Sequence, residues 1–234
     1  VFDSVGTALT LSSSPASILA NGVSISTITA TLTAGATPIS GQTIVFATNS
    51  GTITASAVTN AAGIATATLN STASAANIIA TVTAQAFVVK AKDFTATKLA
   101  QTTTVTFEGV TFTLVASPAS ITANGYTTSD ITATLTKTVG GTPIAGAAVN
   151  FSTVLGTITS SAVTNASGGA AVTLKTGTST GTNTVTATYG ATLTRTQTVE
   201  FTTIAISTVA VSASSSSIVA NGTSTTTITA LVKD

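Results

Sequence analysis

Few residues in this 234-residue chain could carry out chemistry. It contains no His and no Cys, and only six acidic and seven basic residues. His is the usual general base at neutral pH, and imidazole and thiolate groups are the common ligands of zinc. A nucleophilic Ser or Thr needs a base beside it, which this composition does not supply. We therefore expect no enzyme activity, no metal site and no cofactor.

Paired carboxylates are the one catalytic arrangement that the composition leaves open. Glycoside hydrolysis uses two of them, one on each side of the scissile bond. The candidates are Asp93, Glu108, Asp130 and Glu200. Glu108 and Glu200 fall in matching strand-end regions of a repeated sequence, so we interpret them as equivalent surface positions rather than as a catalytic pair. The acidic residues also lack the spacing of a calcium-binding loop.

Two kinds of covalent modification fit the sequence. Asn70, Asn165 and Asn221 each begin an Asn-X-Ser/Thr pattern and are candidate glycosylation sites. Asn150 fits the same pattern but lies in a predicted strand. Lys175 could form an internal Lys–Asn crosslink if an acidic residue lay beside it. Because the chain is rich in Ser and Thr, such matches arise easily by chance, and the unmodified state is favoured for each.

The charge pattern excludes other classes of partner. Charged residues make up 6% of the chain, with a net charge of +1, against a usual share of ~25%. The only local cluster is Lys90, Lys92 and Lys98 around Asp93, which we interpret as a solvated loop or hairpin tip. Nucleic-acid binding requires clustered Lys and Arg, so we expect no nucleic-acid partner. No run of about 18 apolar residues occurs, which predicts no membrane span in this segment.

A stretch that occurs three times organises the rest of the chain. Its copies read SPASILANGVSISTITATL, SPASITANGYTTSDITATL and SSSSIVANGTSTTTITALV, and they begin at Ser14, Ser117 and Ser214. In each copy, apolar residues alternate with hydroxyl residues after an Ala-Asn-Gly triplet. Alternation with a period of two is typical of a strand with one buried face.

Each copy carries an Asn-Gly pair that we predict to lie in a turn, because both residue types tolerate positive φ. The predicted turn residues are Asn21, Gly22, Asn124, Gly125, Asn221 and Gly222. The first two of these glycines are 103 residues apart (125 − 22), and the last two are 97 residues apart (222 − 125). A unit of about 100 residues has the size of an immunoglobulin-like sandwich.

The repeat therefore predicts an all-β chain of tandem immunoglobulin-like β-sandwiches in an elongated rod. Seven or eight short strands are expected in each unit. Ala57–Leu69 and Ala162–Leu174 are each predicted to form a hairpin-like pair of strands. The predicted segments are the end of a preceding repeat or linker (1-6), Ig-like domain 1 (7-109), Ig-like domain 2 (110-205) and the first two strands of a third repeat (206-234).

Several apolar positions are predicted to form the cores. The expected buried residues are Ile28, Leu32, Phe46, Leu69, Ile131, Leu135, Phe151 and Leu174. Pro15 and Pro118 cannot donate to a strand ladder, so we place them at a sheet edge or at a crossover between sheets. The first unit has nine more residues than the second before its last strand, which predicts a longer hairpin there. Val105–Leu114 leaves no room for a flexible linker between the units.

A family resemblance rests on four segments of this sequence: SPASITANG, ITATLT, PIAGAAVNF and AVTNASGGAAVTL. They resemble the group 1 bacterial immunoglobulin-like repeats of invasin and intimin, and the resemblance covers both full units and the third fragment in order. It implies an extracellular, cell-surface location and a structural role in the stalk of an adhesin, with binding carried by a distal domain. The family often has Asp-Gly where this chain has Asn-Gly, which argues against junctions rigidified by calcium.

The leading hypothesis is a spacer stalk or fibre body whose partners are neighbouring repeats of the same or of identical chains. One alternative is a binding module that recognises a host receptor or a glycan through loops such as 87-99. The other is a self-assembling filament subunit that uses 206-234 as donated strands.

Overall fold

The computed structural model describes residues 6–89, 96–203 and 208–233. These ranges contain 21 strands and no helix, and hence no helix that could cross a membrane. Unit 1 comprises β1 (Thr7–Ser14), β2 (Ser17–Leu19), β3 (Ile25–Ala34), β4 (Thr37–Pro38), β5 (Thr43–Thr48), β6 (Thr52–Ile53), β7 (Ser56–Val58), β8 (Ile64–Asn70), β9 (Ile78–Val89) and β10 (Ala96–Glu108). Unit 2 comprises β11 (Val110–Ser117), β12 (Ser120–Thr122), β13 (Thr128–Lys137), β14 (Ala148–Thr153), β15 (Thr157–Ile158), β16 (Ser161–Val163), β17 (Gly169–Lys175), β18 (Gly181–Tyr189) and β19 (Leu193–Thr202). Unit 3 comprises β20 (Thr208–Ala213) and β21 (Ile228–Lys233).

The two full units have the same topology. Unit 1 packs the sheet β1-β3-β8-β6, with β4 beside β3, against the sheet β2-β10-β9-β5-β7. Unit 2 packs β11-β13-β17-β15 against β12-β19-β18-β14-β16. The chain is thus all-β, with tandem immunoglobulin-like sandwiches as expected. Unit 3 is a two-stranded antiparallel hairpin. The exact boundaries at 7-109 and 110-205 stay a prediction, as does the end of a preceding repeat, of which Gly6 alone is described.

Alternating side chains build each core. Along β3 and β13, every second residue from Ser26 to Leu32 and from Ser129 to Leu135 is buried. The eight predicted core residues are confirmed, since each is at most 5% exposed. At about 25 cal/mol per Å² of buried apolar area, these faces are the main favourable contribution to folding.

The strand count per unit is higher than predicted, ten and nine instead of seven or eight. The first predicted strand divides in two, because Pro15 separates β1 from β2 and Pro118 separates β11 from β12. In both units the two halves lie in opposite sheets, which confirms the predicted crossover at these prolines. Strands of two residues, such as β6 and β15, account for the rest.

The predicted hairpins at Ala57–Leu69 and Ala162–Leu174 are wrong. β7 pairs with β5 in one sheet, whereas β8 pairs with β3 and β6 in the other. The turn between them is closed by a hydrogen bond from Gly63 N to Asn60 O (2.9 Å), and it carries the chain across the sandwich. The two strands therefore face each other through the core instead of pairing side by side.

A glycine packs against the core Phe of the last strand in each unit. Gly51 and Gly156 have φ values of 75° and 72°. A Cβ on Gly156 would overlap the carbonyl oxygen of Lys175 and would lie 3.2 Å from the ring of Phe201. Likewise, a Cβ on Gly51 would overlap the carbonyl oxygen of Asn70 and would lie 3.1 Å from the ring of Phe107. The turn before β6 and β15 therefore requires glycine for two reasons, its positive φ and the space that the ring occupies.

Gly156→Ala should destabilise the chain more than Gly146→Ala. Both residues have positive φ, so each substitution costs about 1–2 kcal/mol for the left-handed conformation. Gly146 has open space around its Cα, whereas Gly156→Ala adds about 1–3 kcal/mol of overpacking. Denaturant unfolding of the full chain measures the difference. Equal losses of unfolding free energy in the two variants would show that the contacts with the Lys175 carbonyl oxygen and the Phe201 ring carry no cost.

Candidate functional site: the junction between the two units

One residue, Gly109, connects the last strand of unit 1 to the first strand of unit 2. Its N–H donates to Asn77 Oδ1 (2.7 Å), and the N–H of Val110 donates to the carbonyl of Ser74 (3.0 Å). A Cβ on Gly109 would collide with the backbone of Ala75. The connection is therefore short and hydrogen-bonded, which confirms the prediction that no flexible linker separates the units.

A second contact lies across the junction and involves the first Asn-Gly pair. The Nδ2 of Asn21 donates to the hydroxyl of Tyr189 (3.1 Å), and the carbonyl of Asn21 accepts from the N–H of Ala191 (3.0 Å). Asn21 is 5% exposed and Tyr189 is 6% exposed. Tyr189 belongs to the core of unit 2, so its ring anchors in one unit while its hydroxyl binds the other.

Two glycines allow the backbones to approach this closely. A Cβ on Gly190 would overlap the carbonyl oxygen of Asn21. A Cβ on Gly22 would lie 2.8 Å from the Cβ of Ala191, closer than two such atoms can come. At both positions a side chain would push the units apart, and both residues also have positive φ.

Polar and apolar contacts extend the junction. The ammonium of Lys137 in unit 2 lies 2.7 Å from Glu108 Oε2 in unit 1, and both side chains are partly exposed. Such exposed ion pairs contribute little, about 0–1 kcal/mol. Thr138 Oγ1 donates to the carbonyl of Ala75 (2.6 Å). Leu19 of unit 1 packs against the core of unit 2 and supplies an apolar contact.

The Asn-Gly pairs share one local geometry in all three copies. The side-chain oxygen of each Asn accepts hydrogen bonds from the backbone N–H groups two and three residues later. The Gly that follows has φ of 79°, 78° or 75°. Each Asn therefore closes its turn with the side-chain oxygen Oδ1, which leaves the N–H groups of Nδ2 for other partners. In the first copy Tyr189 is that partner.

The three candidate glycosylation residues lie in different surroundings. Asn70 is half-buried at the end of β8. Asn165 and Asn221 are exposed, and their side-chain oxygens accept backbone hydrogen bonds within turns. Glycosylation stays a prediction, and exposure favours the latter two. Asn150 lies in β14, as expected.

The interpretation of Glu108 and Glu200 as equivalent positions is wrong. The parallel pairing of β2 with β10 places Phe107 opposite Ile18, and that of β12 with β19 places Phe201 opposite Ile121. Glu108 follows its Phe and Glu200 precedes its Phe, so the two differ by two positions. Glu108 pairs with Lys137 at the junction, whereas Glu200 is exposed.

The segment 87-99, predicted to be a binding loop, is strand over its described part. β9 and β10 pair as far as Val89 and Ala96, which confirms the lengthened hairpin and corrects the loop. Phe87 is 51% exposed, and its carbonyl accepts a hydrogen bond from Gln42 Nε2 (3.0 Å). Part of the segment lies outside the described residues: Lys90, Lys92, Asp93 and Phe94.

Residues 7–108 match the family described as invasin, domain 3, and residues 111–202 match the bacterial Ig-like domain (group 1). Both units are bacterial immunoglobulin-like repeats of the invasin and intimin type. This confirms the family resemblance drawn from the sequence. The matched families are Ig-like domains of surface-exposed adhesins rather than enzymes.

Solved structures of adhesins are similar to this pair of repeats. The D0-D1 domain of intimin is 28% identical over 82% of this chain and 97% of its own, with a TM-score of 0.37. Invasin, described as a bacterial integrin-binding protein, is 28% identical over 97% of this chain, with a TM-score of 0.42, and the present chain spans 46% of it. A C-terminal intimin fragment in complex with the translocated intimin receptor is 19% identical over 88% of this chain and 67% of its own, with a TM-score of 0.39. No curated protein matches the chain.

The sequence does not predict the hydrogen bond between Asn21 and Tyr189 at the junction of the two repeats. It predicts Asn21 as a turn residue and does not single out Tyr189. The contact joins residues 168 positions apart in the sequence, and no local pattern links them. One signal was available, because Tyr189 ends an alternating strand with a Gly directly after it.

Tyr189→Phe should lower the free energy of unfolding by about 1–3 kcal/mol, because it leaves the buried Nδ2 of Asn21 without an acceptor. Tyr126→Phe is the matched control, since Tyr126 is 81% exposed and its substitution should change little. Denaturant unfolding of both variants measures this. A double-mutant cycle with Asn21→Ala isolates the pair, and a coupling energy of zero would contradict the role given to the Tyr189 hydroxyl.

Proposed function

We propose that this chain is a structural segment of an extracellular cell-surface protein, in which the repeats act as a spacer. The observation that carries the proposal is the junction, where a one-residue connection and a second contact hold two sandwiches together. A spacer must transmit position from one end to the other, which requires that its units keep a fixed relative orientation. The partners implied are the neighbouring repeats themselves.

The energetics of the junction favour one orientation over many. Each hydrogen bond contributes about 0.5–1.5 kcal/mol net, and at least three cross from unit 1 to unit 2 in addition to those of the connecting residue Gly109. Because the connection is a single residue, the effective concentration of one surface near the other is high. These few hydrogen bonds would not hold two separate domains together, but they are stable between two units that are joined by one residue.

Spin labels placed in the two units should report one narrow distance distribution. The chain contains no Cys, so Ser56→Cys and Ser161→Cys give two unique labelling positions on exposed strands. Gly190→Val should broaden the distribution, because its side chain displaces the carbonyl of Asn21. Pulsed electron paramagnetic resonance measures the distances.

Gly146→Val is the control for this experiment, since Gly146 also has positive φ but faces open space. Its distribution should remain narrow. A broad distribution in the unsubstituted chain would refute a rigid spacer, and a narrow one in Gly190→Val would show that the Asn21 contact does not set the orientation.

The hairpin of unit 3 favours a second candidate function, that of a filament subunit. One face of β20–β21 carries Val209, Val211, Ile228 and Val232, and each is more than half exposed. The corresponding face of unit 1 is covered by a second sheet. A neighbouring copy of the chain that supplied such a sheet would join subunits end to end.

Light scattering of the purified chain distinguishes the two functions. A filament subunit should increase in mass with concentration, and Val211→Lys should abolish the increase by placing a charge on the apolar face. Thr229→Lys, on the opposite face of the hairpin, is the control. A constant monomer mass at all concentrations would eliminate the filament and leave the spacer.

A further inference from the structure

A shallow cleft lies on the outer face of the sheet β11-β13-β17-β15 in unit 2. Its volume is about 370 Å³, at the lower end of the ~300–1,000 Å³ range of small-molecule sites. It is lined by Thr128, Thr157, Ile158, Thr159, Thr173 and Lys175. Most of these residues are threonines, whose hydroxyls both donate and accept hydrogen bonds.

An acidic residue and an exposed aromatic residue each contact a side chain that lines this cleft. Lys175 Nζ lies 5.7 Å from the centroid of the Tyr126 ring, a cation–π contact. Asp130 Oδ1 accepts a hydrogen bond from Thr173 Oγ1 (3.4 Å). The strand register places Lys175 opposite Thr128 and Asp130 opposite Thr173, so all four point to the same face. In a chain with only six acidic residues and two Tyr, this concentration on one face is unusual.

Unit 1 shows that the fold does not require these residues. The equivalent positions on β3 and β8 follow from the matching register, in which Ile25 pairs with Asn70 as Thr128 pairs with Lys175. By the same register, Val23 and Thr27 correspond to Tyr126 and Asp130. The first unit thus forms the same sandwich with neither charge and no Tyr. The sandwich therefore does not require the aromatic and charged side chains of unit 2.

A complete third repeat, placed on unit 2 as unit 2 is placed on unit 1, would leave this patch accessible. In the junction between units 1 and 2, Asn21 and Gly22 are in contact with unit 2, yet Val23 remains 57% exposed. Tyr126 occupies the same position in unit 2 and is 81% exposed. A ligand could therefore reach Tyr126 and Lys175 from the side of the array.

We propose that this patch, formed by Tyr126, Thr128, Asp130, Thr173 and Lys175, binds a neutral carbohydrate. An amphipathic Tyr ring can pack against the C–H face of a sugar while its hydroxyl remains solvated. A carboxylate accepts from adjacent sugar hydroxyls and an ammonium donates to them, and such charge-assisted bonds are the stronger ones. Because one positive and one negative charge balance, the site attracts an uncharged ligand rather than an acidic one. This site does not depend on the spacer function.

Titration of the isotope-labelled full chain by NMR tests the proposal. The probes are maltotriose, chitotriose and mannotriose, which are neutral, and 3′-sialyllactose, which is acidic. At least one neutral probe should shift the amide resonances of the patch at millimolar concentration. The resonances of Val23, Ile25, Thr27 and Asn70 in unit 1 should not move, which makes the first unit an internal control.

Tyr126→Val and Lys175→Asn introduce the residues that unit 1 has at these two positions, and each should weaken binding at least tenfold. Both positions are at the surface and tolerate these residues in unit 1, so folding should be retained, as the spectrum itself reports. Lys98→Asn removes an exposed lysine elsewhere and should change nothing. The proposal is overturned if no neutral probe shifts the patch, if the acidic probe binds more tightly, or if the two variants bind as well as the unsubstituted chain. The spin-label distances test the spacer function separately, so a failure of the carbohydrate proposal is distinguishable from a failure of the spacer proposal.

Discussion

The backbone of Asn21 meets the backbone of Ala191 directly, and the arrangement of the two units depends on this contact. It exists because residues 22 and 190 carry no side chain where the two surfaces approach each other. Two flat sandwich ends would otherwise be held apart by their side chains, and the hydroxyl of Tyr189 could not reach the amide of Asn21. The glycine contact lies beside the connection through Gly109, because the N–H of Ala20 donates to the carbonyl of Glu108 (2.8 Å). The contacts around this one connection restrict the relative orientation of the two units more than the connection alone would.

A comparison of the two units distinguishes the residues that the sandwich fold requires from those that occur in one unit alone. Both units keep the alternating strands, the proline crossover and the glycine against the last core Phe, since each of these sets the topology or fills the core. They differ at surface positions, where unit 1 has the exposed Val23 and the half-buried Asn70 while unit 2 has the exposed Tyr126 and Lys175. Differences of this kind cost little stability, because surface substitutions usually change it by less than about 0.5 kcal/mol. Surface residues can therefore change in one unit without loss of the fold, while the equivalent residues of the neighbouring unit stay uncharged and non-aromatic.

Sequence reasoning succeeded where the information is local or repeats. Alternation identified Ile28 and Leu135 as core residues, because strand periodicity alone decides which face is buried. It failed at β7 and β8, since a short turn with strands on both sides looks the same whether they share a sheet or face each other across the core. Glu108 and Glu200 were equated because both fall in strand-end regions of the repeat, and the strand register shows that they are offset by two positions. The pair of Asn21 and Tyr189 could not be predicted, because the closeness of two loops from different units is a property of how whole units stack.

The parallel pairing of the second strand with the last strand of each unit has a mechanical consequence. In unit 2, β12 lies beside β19, with Ser120 opposite Glu200 and Thr122 opposite Thr202, and unit 1 pairs β2 with β10 in the same way. When the two ends of such a unit are pulled apart, the paired strands slide along each other, so the hydrogen bonds between them bear the load together instead of opening one at a time. Forced unfolding is governed by the barrier to that first rupture, and a shared load raises it. A chain of such units held at its two ends would resist pulling without a disulfide, since the sequence contains no Cys.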